Sequence, residues 1–131
     1  MKYFTMTELC KSTTAAEKNI DNTPTASAAK NLTALVDYVL DPLREAFGKP
    51  IYVNSGFRST TLNKAVGGVV ASMHLIGLAA DITSGSREGN IRLYQLAQKL
   101  NLPYFELIGK KYDYAWIHIS YNHARIKRNP S

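Results

Sequence analysis

The sequence has a single cysteine, no long apolar run and no internal repeat, and each of these absences excludes a class of protein. Cys10 is the only cysteine among 131 residues, which excludes an internal disulfide framework and a zinc knuckle built from several cysteines. No apolar run approaches the roughly 18 residues that span a bilayer, so we expect no membrane insertion. Repeats and low-complexity blocks are also missing, which leaves an ordinary globular domain.

Acidic residues are outnumbered by basic ones. Ten Asp and Glu stand against sixteen Lys and Arg, and the net charge of +6 favours an anionic partner such as nucleic acid, anionic lipid or an acidic wall polymer. Part of the excess lies in a basic tail at 122–131, which is typical of a solvated chain end. The other basic residues are scattered and form no recognition motif, so we expect no nucleic-acid binding.

Chain length and the first residues bear on how the protein is organised. A chain of 131 residues, 45% of them apolar, predicts one domain over 1–131 with a core at about 4–121, and we expect it to be a monomer. The first five residues lack the apolar segment of a signal peptide. We therefore expect synthesis in the cytoplasm, with another route carrying the protein to any site outside it.

Apolar residues at helical spacing dominate the first half of the chain. A capping box at 5–8 predicts a short helix that ends near Lys18. A longer apolar stripe covers 28–43. Within it, Pro42 either kinks one helix or begins a second helix capped by Asp41.

Short apolar runs dominate the second half. They predict strands at 51–53, 78–83, 105–108 and 115–121. Two capped segments between them predict helices at 59–66 and 86–100. The last two strands are close enough to pair through a turn at 109–114. The chain is therefore predicted to be α+β, with N-terminal helices packed on a small, mostly antiparallel sheet.

Two of the three histidines lie in unusual settings. Between His74 and Asp81, one Gly and two Ala leave little side-chain bulk. Asp81 lies inside an apolar run, where a carboxylate is costly unless it is paired or binds metal. Taken alone, Asp81 is explained equally well as a residue that caps a turn at the end of a strand. His118 alternates with Trp116 and Ser120 on a strand face that we expect to point away from the core. Taken alone, it is an ordinary strand histidine.

Taken together, these residues favour a metal site. Two histidines and one aspartate supply the nitrogen and oxygen ligands that suit Zn²⁺, and three ligands leave a fourth position for water, as in catalytic sites. His74, Asp81 and His118 can converge if their strands are neighbours. His123 is a poor alternative, because five residues after His118 it would face the other side of a continued strand.

A longer pattern surrounds the three residues. Ser-x-His-x-x-Gly-x-Ala-x-Asp at 72–81 and Trp-x-His at 116–118 follow, in order, Ser-Gly-Phe-Arg-Ser at 55–59, Leu-Asn at 62–63 and Val-Gly-Gly at 66–68. This pattern resembles the zinc D-Ala-D-Ala carboxypeptidase family over about residues 4–121. Relatives include phage and bacterial L-alanyl-D-glutamate endopeptidases, D,D-dipeptidases of vancomycin resistance and the hedgehog signalling domain.

The resemblance implies a role for several residues. It makes the two histidines and Asp81 the ligands of one zinc ion per chain. Arg58 matches an arginine that binds a substrate carboxylate or carbonyl and stabilises developing negative charge. The planar guanidinium, with its several N–H donors, suits this role. Ser72 matches a serine that binds substrate or supports the first ligand. We also expect Trp116 to line a groove for the substrate, although ordinary packing at the sheet surface is the alternative.

One position departs from the family's pattern. Many relatives carry Glu three residues before the last histidine as the general base, and this chain has Ala115 there. Some carboxypeptidase relatives use the residue five before that histidine, which makes Asp113 our first candidate. Glu106, in a predicted strand, is the second. The third possibility is that no protein base exists, so that the site either works without one or does not catalyse.

The resemblance implies a zinc-dependent peptidase that hydrolyses peptidoglycan stem peptides, of the D-Ala-D-Ala carboxypeptidase or the L-Ala-D-Glu endopeptidase type. Such an enzyme acts on the cell wall, outside the cytoplasm, after phage-type release as an endolysin or by another export route. The alternative is a non-catalytic zinc domain of the same fold that binds the wall or a protein, and Ala115 keeps that alternative open.

Overall fold

The structure is a computed structural model that describes residues 1–122. His123 and the rest of the predicted basic tail lie outside the described residues. The helices are α1 Met6–Cys10, α2 Thr13–Glu17, α3 Ala26–Leu35, α4 Asp41–Phe47, α5 Thr60–Ala65 and α6 Arg87–Lys99. The strands are β1 Tyr52–Ser55, β2 Ala79–Thr83, β3 Tyr104–Ile108 and β4 Ile117–Tyr121. The predicted α+β class is confirmed.

All neighbouring strands in the sheet are antiparallel, in the order β1-β2-β4-β3. Asp81 of β2 lies directly opposite His118 of β4, so two predicted ligands are cross-strand neighbours. Ser55 pairs with Asp81 from β1, next to an irregularity in the strand. The two central strands therefore bring polar side chains from distant parts of the sequence to one place on the sheet.

The core lies between the sheet and the helical segment that starts at α3. Its largest buried side chains include Leu32, Leu35 and Leu40 from that segment and Ile82 and Ile119 from the sheet. Full burial of such side chains stabilises the fold by roughly 1.5–3 kcal/mol each. Within residues 1–122, no helix combines the length and the apolar character needed to cross a bilayer.

The N-terminal helix is shorter than the sequence predicts. Thr5 caps α1 as expected, through a hydrogen bond from the Glu8 backbone N–H. The helix then ends at Cys10, and the Ser12 side chain caps a second helix by accepting from the Ala15 N–H. A single helix that ends near Lys18 was therefore wrong, because Ser12 offers a competing helix start.

Pro42 lies inside one continuous helical segment, not at the start of a separate one. Between α3 and α4 the chain makes a wide π-helical turn, Val36–Leu40, and Pro42 stands at the beginning of α4. Proline lacks an N–H, and a wide turn is one way in which a helix accommodates the lost hydrogen bond. The Asp41 carboxylate accepts from the backbone N–H groups of Lys2 and Tyr3 instead of capping α4.

Candidate metal centre

His74 is positioned by a short 3₁₀ turn, Met73–Ile76, that packs against α3. Gly77 ends the turn with a left-handed backbone (φ 78°), and a Cβ there would lie 2.4 Å from the Ala28 carbonyl oxygen. The His74 Nδ1 lies 2.7 Å from the Gly56 carbonyl oxygen. A carbonyl can only accept, so Nδ1 carries the proton and Nε2 is left free for a metal.

Asp81 and His118 complete the cluster from adjacent strands. One carboxylate oxygen of Asp81 lies 2.9 Å from His118 Nδ1 and 3.4 Å from His74 Nε2. Each of the three residues offers a ligand atom within 4.8 Å of the others. Nitrogen and carboxylate donors at this spacing fit one metal ion, and the donor set suits Zn²⁺. The structure thus brings together the three ligands that the sequence predicts.

Charge coupling holds the three groups together when no metal is bound. Burial alone would raise the pKa of Asp81, but its hydrogen bond with His118 and the nearby His74 ring outweigh it and hold that pKa well below its usual range. Burial alone would lower the pKa of His118, but hydrogen bonds to Asp81 and Glu106 raise it to about 9. The metal-free cluster therefore contains an ionised Asp81 and a protonated His118 at neutral pH.

His118 is less accessible than the alternation of β4 predicts. The face that it shares with Ser120 was expected to point away from the core, yet both residues are buried. Asp81 and Glu106 cover the His118 ring, and Ser120 Oγ accepts a hydrogen bond from the Glu106 N–H. Alternation correctly places the two residues on one face of the sheet. It does not reveal that side chains from the neighbouring strands bury them there.

Arg58 lies beside the cluster. Its Nη2 is 3.5 Å from the second oxygen of Asp81, its Nε donates to Ser55 Oγ, and its Nη1 donates to Asn63 Oδ1. Its backbone N–H donates to the His74 carbonyl oxygen. The guanidinium is largely buried and is aimed at the metal ligands. The arrangement directs positive charge toward the cluster, and a guanidinium is a donor suited to carboxylates and oxyanions.

The two candidate bases occupy different surroundings. Glu106 Oε1 lies 2.9 Å from His118 Nε2, and its side chain is 32% exposed. The hydrogen bond from His118 lowers the pKa of Glu106, so this carboxylate is ionised at neutral pH. Asp113 has a left-handed backbone (φ 51°), pairs with Arg87 and is 85% exposed. The structure therefore brings Glu106 into contact with a ligand and Asp113 into contact with α6.

Ser72 and Trp116 have structural contacts that the sequence only partly predicts. Ser72 Oγ accepts from the His74 backbone N–H at 3.2 Å, so it begins the turn that carries the first ligand. Trp116 stacks on Tyr112, with ring centroids 4.4 Å apart. Burial, followed by the charges of Asp81 and Glu106, raises the pKa of Tyr112.

Sequence reasoning assigned no role to three residues near the site. Gly56 supplies the carbonyl that orients His74, Asn63 contacts Arg58, and Tyr112 stacks on Trp116. Gly56 and Asn63 stand inside the quoted pattern, which was the available signal for them. Tyr112 belongs to no quoted pattern, and only the 3₁₀ turn Lys110–Tyr112 brings it to Trp116.

Comparison with known proteins agrees with this arrangement. The profile of the family described as Peptidase M15 matches residues 2–120. The zinc D-Ala-D-Ala carboxypeptidase of Streptomyces albus G is 43% identical over 89 residues, which are 66% of this chain and 34% of that protein. The chain thus spans about a third of this curated relative's length. The matching profile covers nearly the whole described chain, including Arg58 and the three ligand residues, and the chain belongs to the peptidase M15 family.

Proposed function

We propose that this chain is a zinc-dependent peptidase that hydrolyses peptidoglycan stem peptides. The convergence of His74, Asp81 and His118 beside the Arg58 guanidinium carries the proposal. Membership of the peptidase M15 family and the similarity to a zinc D-Ala-D-Ala carboxypeptidase support the substrate class. The D-Ala-D-Ala and L-Ala-D-Glu bonds are both candidates for cleavage.

The metal would be held by His74 Nε2, by a carboxylate oxygen of Asp81 and by one ring nitrogen of His118. Bound there, Zn²⁺ supplies Lewis acidity toward a carbonyl and lowers the pKa of a bound water. The Gly56 carbonyl keeps His74 in the tautomer that such binding requires. Arg58 binds a substrate carboxylate or stabilises the tetrahedral oxyanion, because Ser55 and Asn63 hold its guanidinium with Nη2 3.5 Å from Asp81.

Glu106 is the general base in this proposal, in preference to Asp113. It takes the proton from the attacking water and passes it to the leaving amine. Contact with His118 supports the assignment, since this contact puts an ionised carboxylate next to a metal ligand. Asp113 is turned toward Arg87 and lacks a comparable contact with the three ligands. Ala115, at the position where many relatives carry Glu, is compatible with a base supplied by β3.

Digestion of purified peptidoglycan tests the proposal. The zinc-loaded protein and a chelator-treated sample are incubated with several wall types, and the fragments are identified by mass spectrometry. Chelator-sensitive release of D-alanine, or a new L-alanine C-terminus, establishes the activity and names the bond. Absence of cleavage by protein that holds one zinc per chain overturns the proposal and favours the non-catalytic zinc domain.

A further inference from the structure

Arg58 is held by neutral partners on two sides. Its Nε donates to Ser55 Oγ and its Nη1 to Asn63 Oδ1, both at 3.0 Å. Asn63 is 5% exposed. Burial of a polar side chain costs free energy unless its polar atoms are hydrogen-bonded. The hydrogen-bond partners of Asn63 therefore indicate its role.

Both ends of the Asn63 amide are used. Oδ1 accepts from the Arg58 guanidinium, which can only donate, and Nδ2 donates at 2.9 Å to the Val69 carbonyl oxygen, which can only accept. These partners fix the orientation of the amide. The side chain therefore links Arg58 to the loop that leads from α5 to His74.

Gly68 lies against the side chains of both Asn63 and Arg58. A Cβ there would lie 2.0 Å from Asn63 Oδ1 and 2.7 Å from Arg58 Nη1. The loop backbone therefore lies against both side chains, and a residue larger than glycine would displace them. Gly68 also donates its backbone N–H to the Asn63 carbonyl oxygen, which fastens the loop to the end of α5.

We propose that Asn63 is the positioning residue of Arg58, holding the guanidinium toward the metal centre without neutralising its charge. The inference rests on the proposed function, in which Arg58 binds a substrate carboxylate or the oxyanion. An Asp at this position would accept from Arg58, but it would compete with the substrate for the positive charge and would lack a donor for Val69. A Leu or Ala would provide neither hydrogen bond.

Two variants separate the orientation of Arg58 from its charge. Asn63→Ala removes both hydrogen bonds, whereas Asn63→Asp keeps the acceptor and adds a negative charge. Asn31→Ala is the matched control, because Asn31 Nδ2 also donates to a backbone carbonyl near His74, that of Ile76, at 2.8 Å. It does not contact Arg58. Zinc content and thermal unfolding are measured for every variant, so that misfolded protein is recognised.

Kinetics on the stem peptide identified by the digestion give the first readout. Asn63→Ala is expected to lower kcat/KM about tenfold or more, as the loss of a hydrogen bond to a charged group does. The same substitution in an Arg58→Lys background is expected to have less than twofold further effect, because Asn63 acts through Arg58. Full additivity of the two substitutions overturns the inference. Asn63→Asp is expected to raise KM, and an unchanged KM contradicts the role of a neutral partner.

The Arg58 side-chain N–H signal gives a second readout that needs no activity. In ¹⁵N-resolved NMR spectra, the Nε–H that donates to Ser55 is expected to be sharp and protected in the wild type and in Asn31→Ala. It is expected to broaden or exchange rapidly in Asn63→Ala and to persist in Asn63→Asp. An unchanged signal in Asn63→Ala overturns the inference. A wild type that cleaves no wall overturns the proposed function instead, while this signal still decides the role of Asn63.

Discussion

His118 lies between two carboxylates, and this position governs how the metal centre assembles. Asp81 faces one ring nitrogen and Glu106 the other, each at 2.9 Å. A metal ligand must use an unprotonated nitrogen, so a proton has to leave His118 when zinc binds. Since Asp81 is itself a proposed ligand, loss of the proton that faces it would leave the other nitrogen donating to Glu106. The same contact that stabilises the metal-free cluster is thus part of the proposed catalytic apparatus.

Paired substitutions test the base. Glu106→Gln keeps the size of the side chain but removes its basicity, and we expect kcat to fall about 10²–10⁴-fold with zinc content unchanged. Asp113→Asn is the matched control and is expected to stay within about threefold, because Asp113 pairs with Arg87 at the surface. Steady-state kinetics on a stem peptide measure both. The reverse pattern, a large loss only in Asp113→Asn, returns the base to the position that the sequence first favoured.

The pKa of His118 predicts how the stability of the metal-free protein depends on pH. Its folded-state pKa, about 9, exceeds the unfolded value near 6.5, so the protonated ring stabilises the fold. This stabilisation is fully present below about pH 6.5 and is lost as pH rises through 9. We expect the Tm of chelator-treated protein to fall over this range, and the Tm of zinc-loaded protein to fall much less. A metal-free Tm that rises over the same range contradicts the cluster described here.

At the level of single residues, motif spacing predicted which three residues the structure brings together, but not the side chains that contact them. The ten-residue pattern at 72–81 identifies His74 and Asp81 because each fixed position is a local requirement. The choice between Glu106 and Asp113 depends on the path of the turn after β3, where Asp113 adopts a left-handed backbone. No spacing rule reports the direction of such a side chain. The identity of the base therefore stays a prediction until the variants are measured.

At the level of elements, the loop that follows β1 connects the N-terminal helices with the metal centre. Gly56 approaches α1 so closely that a Cβ would lie 2.2 Å from the Leu9 carbonyl oxygen, and the next N–H, of Phe57, donates to that oxygen. Gly56 also orients His74 through its own carbonyl. Placement of α1 and the tautomer of a ligand thus depend on one short segment.

A substitution at Gly56 tests this connection. Gly56→Ala forces the segment away from α1, and we expect it to destabilise the fold by about 1–3 kcal/mol. We also expect zinc affinity to fall about 10–100-fold, as when an outer partner of a ligand is lost. Gly48→Ala is the control: its Cβ meets open space, but its φ of 72° is strained, so it should cost stability alone. Denaturant unfolding and competition with a chromophoric chelator measure both effects. Unchanged zinc affinity in Gly56→Ala would refute the connection.

The sequence predicts the boundaries of helices and strands well where the cap and the apolar pattern agree. It predicts them poorly where a second cap competes with the apolar pattern. The strands and the helices that follow Ser59 and Ser86 agree with the sequence pattern to within a few residues. The N-terminal helix was predicted wrongly, because Ser12 forms a cap that apolar spacing does not reveal. At Pro42 the sequence left two alternatives, and the structure has a continuous helical segment with a π-helical turn before the proline and no cap from Asp41.

For the whole molecule, the net charge of +6 suits a negatively charged polymer. The monomeric state and the single domain over 1–131 stay predictions, as does action outside the cytoplasm. The chain corresponds to about a third of the Streptomyces albus G relative. The family profile, which matches residues 2–120, includes Arg58, His74, Asp81 and His118. His74, Asp81 and His118, the three proposed ligands, all lie within residues 1–122.

The net charge predicts that salt slows the hydrolysis of intact wall more than the hydrolysis of small peptides. Salt screens attraction to an extended anionic polymer, so we expect hydrolysis of intact peptidoglycan to slow severalfold between about 50 and 500 mM NaCl. Hydrolysis of a short stem peptide should change less than twofold, since it depends on contacts within the site. Rates for both substrates at matched zinc content measure the difference. Equal salt dependence would mean that net charge does not contribute to engagement of the wall.

The cross-strand pairing of Asp81 with His118 makes metal binding a check on strand register. Side chains alternate along a strand, so a slip of one residue between β2 and β4 would turn His118 toward the apolar side and bring Ile117 or Ile119 to the metal ligands. A chain folded in the wrong register would then have only two ligands. In protein saturated with zinc, we therefore expect the zinc content per chain to report the fraction of molecules whose central strands are aligned, and we expect metal added during refolding to favour the aligned form.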